Sequence, residues 1–211
     1  MATIIRTGTY GNYYGSTYNS SASLNRDKQQ LNALYIWLAL QADGWTLNAV
    51  SGMLGNMQAE SAINPGRWQS DNVGNMSGGY GLTQWTPATK YIDWIGVSND
   101  PSTMDNNLKR IKWECENNKQ WRKSSSYPIT FREFKVSTQS VDYLAGAFLY
   151  NYERPAHYNL DPRVRNARYW YEYLSGFLPP EDKVKRKFKW VLYARKFRNR
   201  FTNWQNIIYL I

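Results

Sequence analysis

The chain of 211 residues has one cysteine, Cys115, and one histidine, His157. A lone cysteine excludes an internal disulfide framework. One histidine beside one cysteine excludes a zinc site built on two or more histidines. Long apolar runs are also missing. The longest, Leu34 to Leu40, falls far short of the roughly 20 residues that a transmembrane helix needs. The first residues, Met1-Ala2-Thr3-Ile4-Ile5-Arg6, lack the apolar core of a signal peptide. The sequence therefore predicts a chain made soluble in a cytosol, reaching any extracellular destination by another route. No internal repeat is visible.

Acidic residues are absent from Lys183 to Arg200, a stretch that holds nine basic ones. The whole chain has 26 Lys+Arg against 16 Asp+Glu, a net charge of +10, so the remainder is nearly neutral. A basic average could suggest nucleic-acid binding, but the body carries no such footprint, and no nucleic-acid partner is expected. What the chain has in abundance is aromatic side chains, with ten Trp and seventeen Tyr. These amphipathic rings suit sugar-stacking surfaces and interfaces as well as a core. At 42% apolar residues, there is enough to bury a core.

Residues 1–23 are rich in Gly, Tyr, Ser and Asn and read as a polar N-terminal arm, ordered only by docking. The body is expected over 24–178. A helix is predicted from Arg26 to Ala42, with Leu31, Leu34, Tyr35, Leu38 and Ala42 at helical spacing and Asp43-Gly44 as its stop. Thr46 is the expected N-cap of a second helix with Val50, Met53, Leu54 and Met57 on its apolar face. That helix ends near Glu60-Ser61. From Arg67 to Gly81 the sequence predicts a long loop or irregular hairpin. Thr86-Pro87 is expected to open a third helix with Pro at its first position. Further helices are predicted over 102–118, 138–152 and 163–175. Pro179-Pro180 marks a break, and 179–211 reads as a basic aromatic tail forming an amphipathic helix.

Glu60 stands at the C-terminal end of an apolar helix, before a glycine-rich loop. The negative end of the helix dipole and partial burial would both raise its pKa, which suits a general acid near neutral pH. The bland alternative is a solvated Glu near a helix end. Glycoside hydrolysis needs such an acid beside the scissile oxygen, with a second carboxylate or a substitute for it. Asp71, eleven residues on, is the candidate base or water-positioning group; the competing reading is a loop Asp capping a turn.

The run Gly55-Asn56-Met57-Gln58-Ala59-Glu60-Ser61 with Asn64-Pro65-Gly66, then Gly79-Tyr80-Gly81-Leu82-Thr83-Gln84-Trp85, then Phe148-Leu149-Tyr150-Asn151-Tyr152-Glu153-Arg154-Pro155, resembles the phage tail lysozyme family. These are lysozyme-like domains of tail-knob peptidoglycan hydrolases from small podoviruses of Gram-positive bacteria, within the lysozyme and lytic transglycosylase superfamily. The resemblance spans about 30 to 175. It implies an α+β, predominantly helical, lysozyme-like fold with a small β-hairpin or loop lobe forming a cleft. It implies cleavage of the β-1,4 bond between N-acetylmuramic acid and N-acetylglucosamine, with Glu60 on the family's catalytic acid and no cofactor or metal. Gln84 matches the superfamily's cleft glutamine. Tyr80, Trp85, Tyr150 and Tyr152 are candidate sugar-binding residues, each with a core role as the alternative. Glu153 is expected to pair with Arg154 or with a substrate group.

The resemblance also implies a virion location at the tail tip, synthesis in the host cytoplasm, and peptidoglycan glycan strands as the target. The tail would bind wall polymers or lipid, other tail proteins, or another copy of itself. Three alternatives stay open: a lytic transglycosylase that needs only Glu60, an endolysin acting at host lysis, and an inactive structural tail-tip protein. A cysteine peptidase built on Cys115 and His157 is disfavoured, because the acids flanking Cys115 would raise its thiol pKa.

Overall fold

The computed structural model describes residues 3–178. The chain begins with a β-hairpin, β1 (Ile4–Gly8) and β2 (Gly11–Gly15), paired antiparallel from Ile4↔Gly15 to Gly8↔Gly11. Among the described residues seven α-helices follow: α1 (Arg26–Gln41), α2 (Leu47–Ser61), α3 (Thr89–Ile95), α4 (Met104–Glu116), α5 (Phe131–Lys135), α6 (Val141–Phe148) and α7 (Leu160–Ser175). A π turn over Leu149–Glu153 continues α6. All these elements lie in one compact unit ending at Gly176. The predicted tail helix, with its Pro179-Pro180 break, lies outside the described residues.

The N-terminal segment has too little apolar content for a core of its own and takes one from α1. Tyr13 is buried and packs edge-on against Tyr35 at 5.3 Å. The Asn32 side chain accepts from the Tyr14 N–H and donates to its carbonyl, both at 2.7 Å, so a helix residue completes the hairpin's hydrogen bonding. Arg6 ties the same hairpin to Asp100 and Ser102.

α1 starts where Asn25 accepts from the Lys28 N–H, and it runs to Gln41 before Gly44 turns left-handed at φ +81°. α2 starts where the Thr46 hydroxyl accepts from the Ala49 N–H at 3.1 Å. Both boundaries follow the sequence reading. α2 is buried over most of its length and packs against α6 and α7. Gly52 and Gly55 make this close approach possible. A Cβ on Gly52 would come within 2.9 Å of Leu144, and one on Gly55 within 2.4 Å of the Arg163 carbonyl oxygen.

Two local expectations change. Pro87 is not the first residue of α3; Thr86-Pro87 is a cis bond, and the helix begins at Thr89 after Ala88. α5 was absent from the helix prediction, although Thr130 and Glu133 form a capping box that starts it. The lobe over 67–85 keeps the irregular form expected of it, a single helical turn at Gln69–Asp71 and the isolated antiparallel bridges Trp68↔Tyr80 and Tyr80↔Trp85, while the regular hairpin lies at the N-terminus.

Among the described residues, eleven of the Trp and Tyr side chains that suggested a binding surface are buried and build the interior instead. Trp45, Trp121, Phe131, Phe134, Phe148 and Tyr152 form one buried cluster, with Trp121 and Phe131 stacked at 4.7 Å. Trp68, Tyr80, Trp85 and Tyr91 form a second, with Trp85 and Tyr91 stacked at 4.5 Å. Each such ring contributes about 1.5–3 kcal/mol by leaving water, plus about 0.5–1.5 kcal/mol per well-placed pair.

Candidate active site

The end of α2 is fixed by unusual backbone geometry. Ala62 and Ile63 both have positive φ, at 53° and 56°. A β-branched residue there costs on the order of 1–3 kcal/mol and persists only where its surroundings enforce it. The enforcing bonds are present. The Ala62 and Ile63 N–H groups cap the Gln58 and Met57 carbonyls, and Asn32 donates to the Ile63 carbonyl at 2.7 Å. Ser61 donates from Oγ to the Leu82 carbonyl at 2.8 Å, joining the helix end to the Gly81–Gln84 turn. Asn64 accepts from the Ser16 and Gly66 N–H groups and donates to Ser16 Oγ and the Ala22 carbonyl. Within the motif, then, Ser61 and Asn64 hold the frame, and Glu60 projects from it.

The Glu60 side chain is 22% exposed, so its carboxylate reaches solvent. Its Oε1 accepts from Arg163 Nη2 at 2.6 Å, while Arg163 Nη1 donates to the Asn159 carbonyl at 2.8 Å. Arg163 comes from the first turn of α7, which the Gly55 crossing brings against α2. No sequence signal singled it out among the basic residues. Glu153, at the end of the π turn, lies within electrostatic reach of this pair. Burial pushes its carboxyl well above the usual range; the charges of Glu60 and Glu114 add to this, and Arg163 and Arg154 oppose it. The Glu153–Arg154 pair expected from sequence is not formed: the Arg154 guanidinium donates to the Gln120 and Asn151 carbonyls instead.

A further buried carboxylate, Glu114, was not anticipated. It accepts from Tyr152 Oη, Arg110 Nε and Trp85 Nε1. Burial raises its pKa, and those three donors pull it part of the way back. Tyr152 and Trp85 are 1% and 3% exposed, and Tyr80 is wholly buried. None of the three has an exposed ring face: Trp85 stacks on Tyr91, Tyr152 on Phe148, and Tyr80 is packed between Trp68 and Tyr91. Tyr150 is half-buried and stacks on Tyr158 at 4.3 Å. Gln84 is also half-buried, at φ +48°, and donates to the Arg67 and Gly81 carbonyls, bracing the turn. Asp71 is exposed and already engaged: Arg67 contacts both of its oxygens at 3.0 Å, and Ser21 donates to it at 2.7 Å.

Cys115 is buried, and burial raises its thiol pKa to about 11; the flanking Glu116 adds only a lesser push. The direction matches the sequence reading, but the principal cause is burial. A cavity of about 490 Å³ lies elsewhere, between the hairpin turn and α4, lined by Tyr10, Trp94, Lys109 and Trp113 among others; no motif residue lines it.

Comparison with known proteins places these features in context. The sequence model of the phage tail lysozyme family matches residues 31–174, from within α1 almost to the end of α7. Morphogenesis protein 1 of Bacillus phage B103 is 49% identical over 162 residues. That match covers 75% of this chain and 43% of the relative, so the chain spans less than half the relative's length.

Proposed function

The chain belongs to the phage tail lysozyme family, and from that premise we propose that it cleaves the β-1,4 bond between N-acetylmuramic acid and N-acetylglucosamine in peptidoglycan, opening the wall locally at infection. The observation that carries this reading is the placement of Glu60. Its carboxyl is solvent-accessible at the end of a buried helix whose backbone is locked on both sides. Such rigidity is what a general acid needs to meet the glycosidic oxygen in one orientation. Glu60 gives its proton to the leaving oxygen as the C1–O bond breaks, and water completes the hydrolysis. The ion pair with Arg163 must yield when Glu60 carries that proton.

Asp71 would place or deprotonate the water in an inverting mechanism, which requires a gap between the carboxyls. A second reading, substrate assistance or lytic transglycosylation with Glu60 alone, is favoured by the engagement of Asp71 with Arg67 and Ser21. Membership of the tail lysozyme family and the likeness to a phage morphogenesis protein support action from the virion, with glycan strands as target and other tail proteins as neighbours. Mass spectrometry of muropeptides released from Gram-positive peptidoglycan tests the chemistry. Reducing muramic ends from wild type, absent with Glu60→Gln, are expected. Anhydro-muramic ends would replace hydrolysis by transglycosylation. No release by folded wild type would overturn the enzyme reading.

A further inference from the structure

Two buried polar atoms lack hydrogen-bond partners near Glu60's charge: Nε of Arg163, whose Nη2 pairs with Glu60, and Oε1 of Glu153, which feels the charges of both. Burial without a partner costs free energy, so both belong where a rearrangement will satisfy them. One is a free acceptor and the other a free donor of opposite charge type. Both come from elements packed around the end of α2: Glu153 from the π turn after α6, Arg163 from α7.

We propose that Glu153 is a positioning residue that stores the catalytic proton and exchanges it with Glu60, while Arg163 changes partner. This rests on the reading of Glu60 as the general acid. In the resting arrangement Glu60 is the carboxylate paired with Arg163, and Glu153 is the neutral acid. When a glycan strand covers Glu60, the proton leaves the Glu153 carboxyl and joins Glu60. Glu153 becomes the carboxylate and Arg163 its counter-ion, through the Nε–H that is now unused. No charge is created or lost: one proton and one cation are shared by two carboxyls throughout.

The charged groups facing Glu153 agree with this. From α2 comes Glu60, from α4 Glu114, from α7 Arg163, and from the adjacent residue Arg154. Arg154 Nη1 is held by the Gln120 and Asn151 carbonyls, and Glu114 by Arg110, Trp85 and Tyr152. Of these cations, Arg163 is the one with a buried donor that lacks a partner.

Glu153→Gln keeps the shape and removes the proton exchange. With peptidoglycan as substrate, the alkaline limb of its kcat/KM profile is expected to move to lower pH by about one unit or more, with kcat at neutral pH down at least about tenfold. The shift is downward because Glu60 must then take its proton from solvent. Glu153→Asp, which keeps the proton, should retain the wild-type limb at a lower rate, and it serves as the second variant if the amide does not fold. Independently, carbon NMR of labelled glutamates should show a carboxyl, lost in Glu153→Gln, that stays protonated at neutral pH. A Glu153→Gln profile superimposed on wild type, or a Glu153 carboxyl already ionised at neutral pH, overturns the proposal while leaving Glu60 as the acid. Wild type that releases no muropeptides removes the reading of Glu60 itself, and the proposal with it.

Discussion

Gly55→Ala tests the packing that brings Arg163 to Glu60. Within a helix, alanine in place of glycine ordinarily gains about 0.5–1 kcal/mol. Here the new Cβ would stand 2.4 Å from the Arg163 carbonyl oxygen and 2.8 Å from both the nitrogen and Cβ of Ala167. These atoms belong to the backbone and the first side-chain carbon of α7, so no rotamer change relieves the contact. α7 must move as a body. Overpacking costs about 1–3 kcal/mol, and a clash with rigid backbone belongs at the top of that range. The net destabilisation is therefore about 2 kcal/mol, or a Tm lower by roughly 4–8 °C for a domain of this size. Differential scanning calorimetry measures it. Gly176→Ala is the control: its backbone is already right-handed helical, with φ −63°, and the nearest atom is 3.4 Å away. Its change should stay within about 0.5 kcal/mol. A Gly55→Ala protein as stable as wild type, or more so, would mean that α2 and α7 do not touch as closely as described.

Stability should also depend on pH through the buried carboxyls. Glu114 and Glu153 both titrate above the usual carboxylate range because burial disfavours their charge. A raised folded-state value gives stability that is fully present below the unfolded value and lost as pH rises through the folded one. Tm should therefore fall as pH climbs above about 4, and Glu153→Gln should flatten part of that fall; a Tm profile unchanged by the substitution would contradict the burial of this carboxyl. Cys115, with its thiol raised to about 11, should resist a disulfide reagent at neutral pH in the folded protein and react once denaturant exposes it; rapid labelling of the native chain would refute its burial.

Local chemistry accounts for the parts that were legible. Asn25, Thr46 and the apolar spacing behind them define α1 and α2, because caps and periodicity act within a few residues. Glu60 could be placed at a helix end on the same basis. α5 was legible in principle from Thr130 and Glu133, but five residues carry too little periodicity to stand out. The start of α3 was misjudged because Pro87 serves the connection before the helix.

The amino-acid sequence by itself determined a mostly helical chain, its punctuation, and a carboxylate at the mouth of a glycine-rich loop. Only the tertiary structure decided which aromatics face inward, since burial is a property of neighbours that the chain brings from afar. Tyr80, Trp85 and Tyr152 stand in the motifs as candidate sugar platforms, but Tyr80 is buried between Trp68 and Tyr91, and Trp85 and Tyr152 are buried where both bond Glu114 of α4. The charge partner of Glu60 lies 103 residues along the chain. Coulomb pairing depends on separation in space and not in sequence, so Arg163 meets Glu60 only because Gly55 lets α2 pack closely against α7.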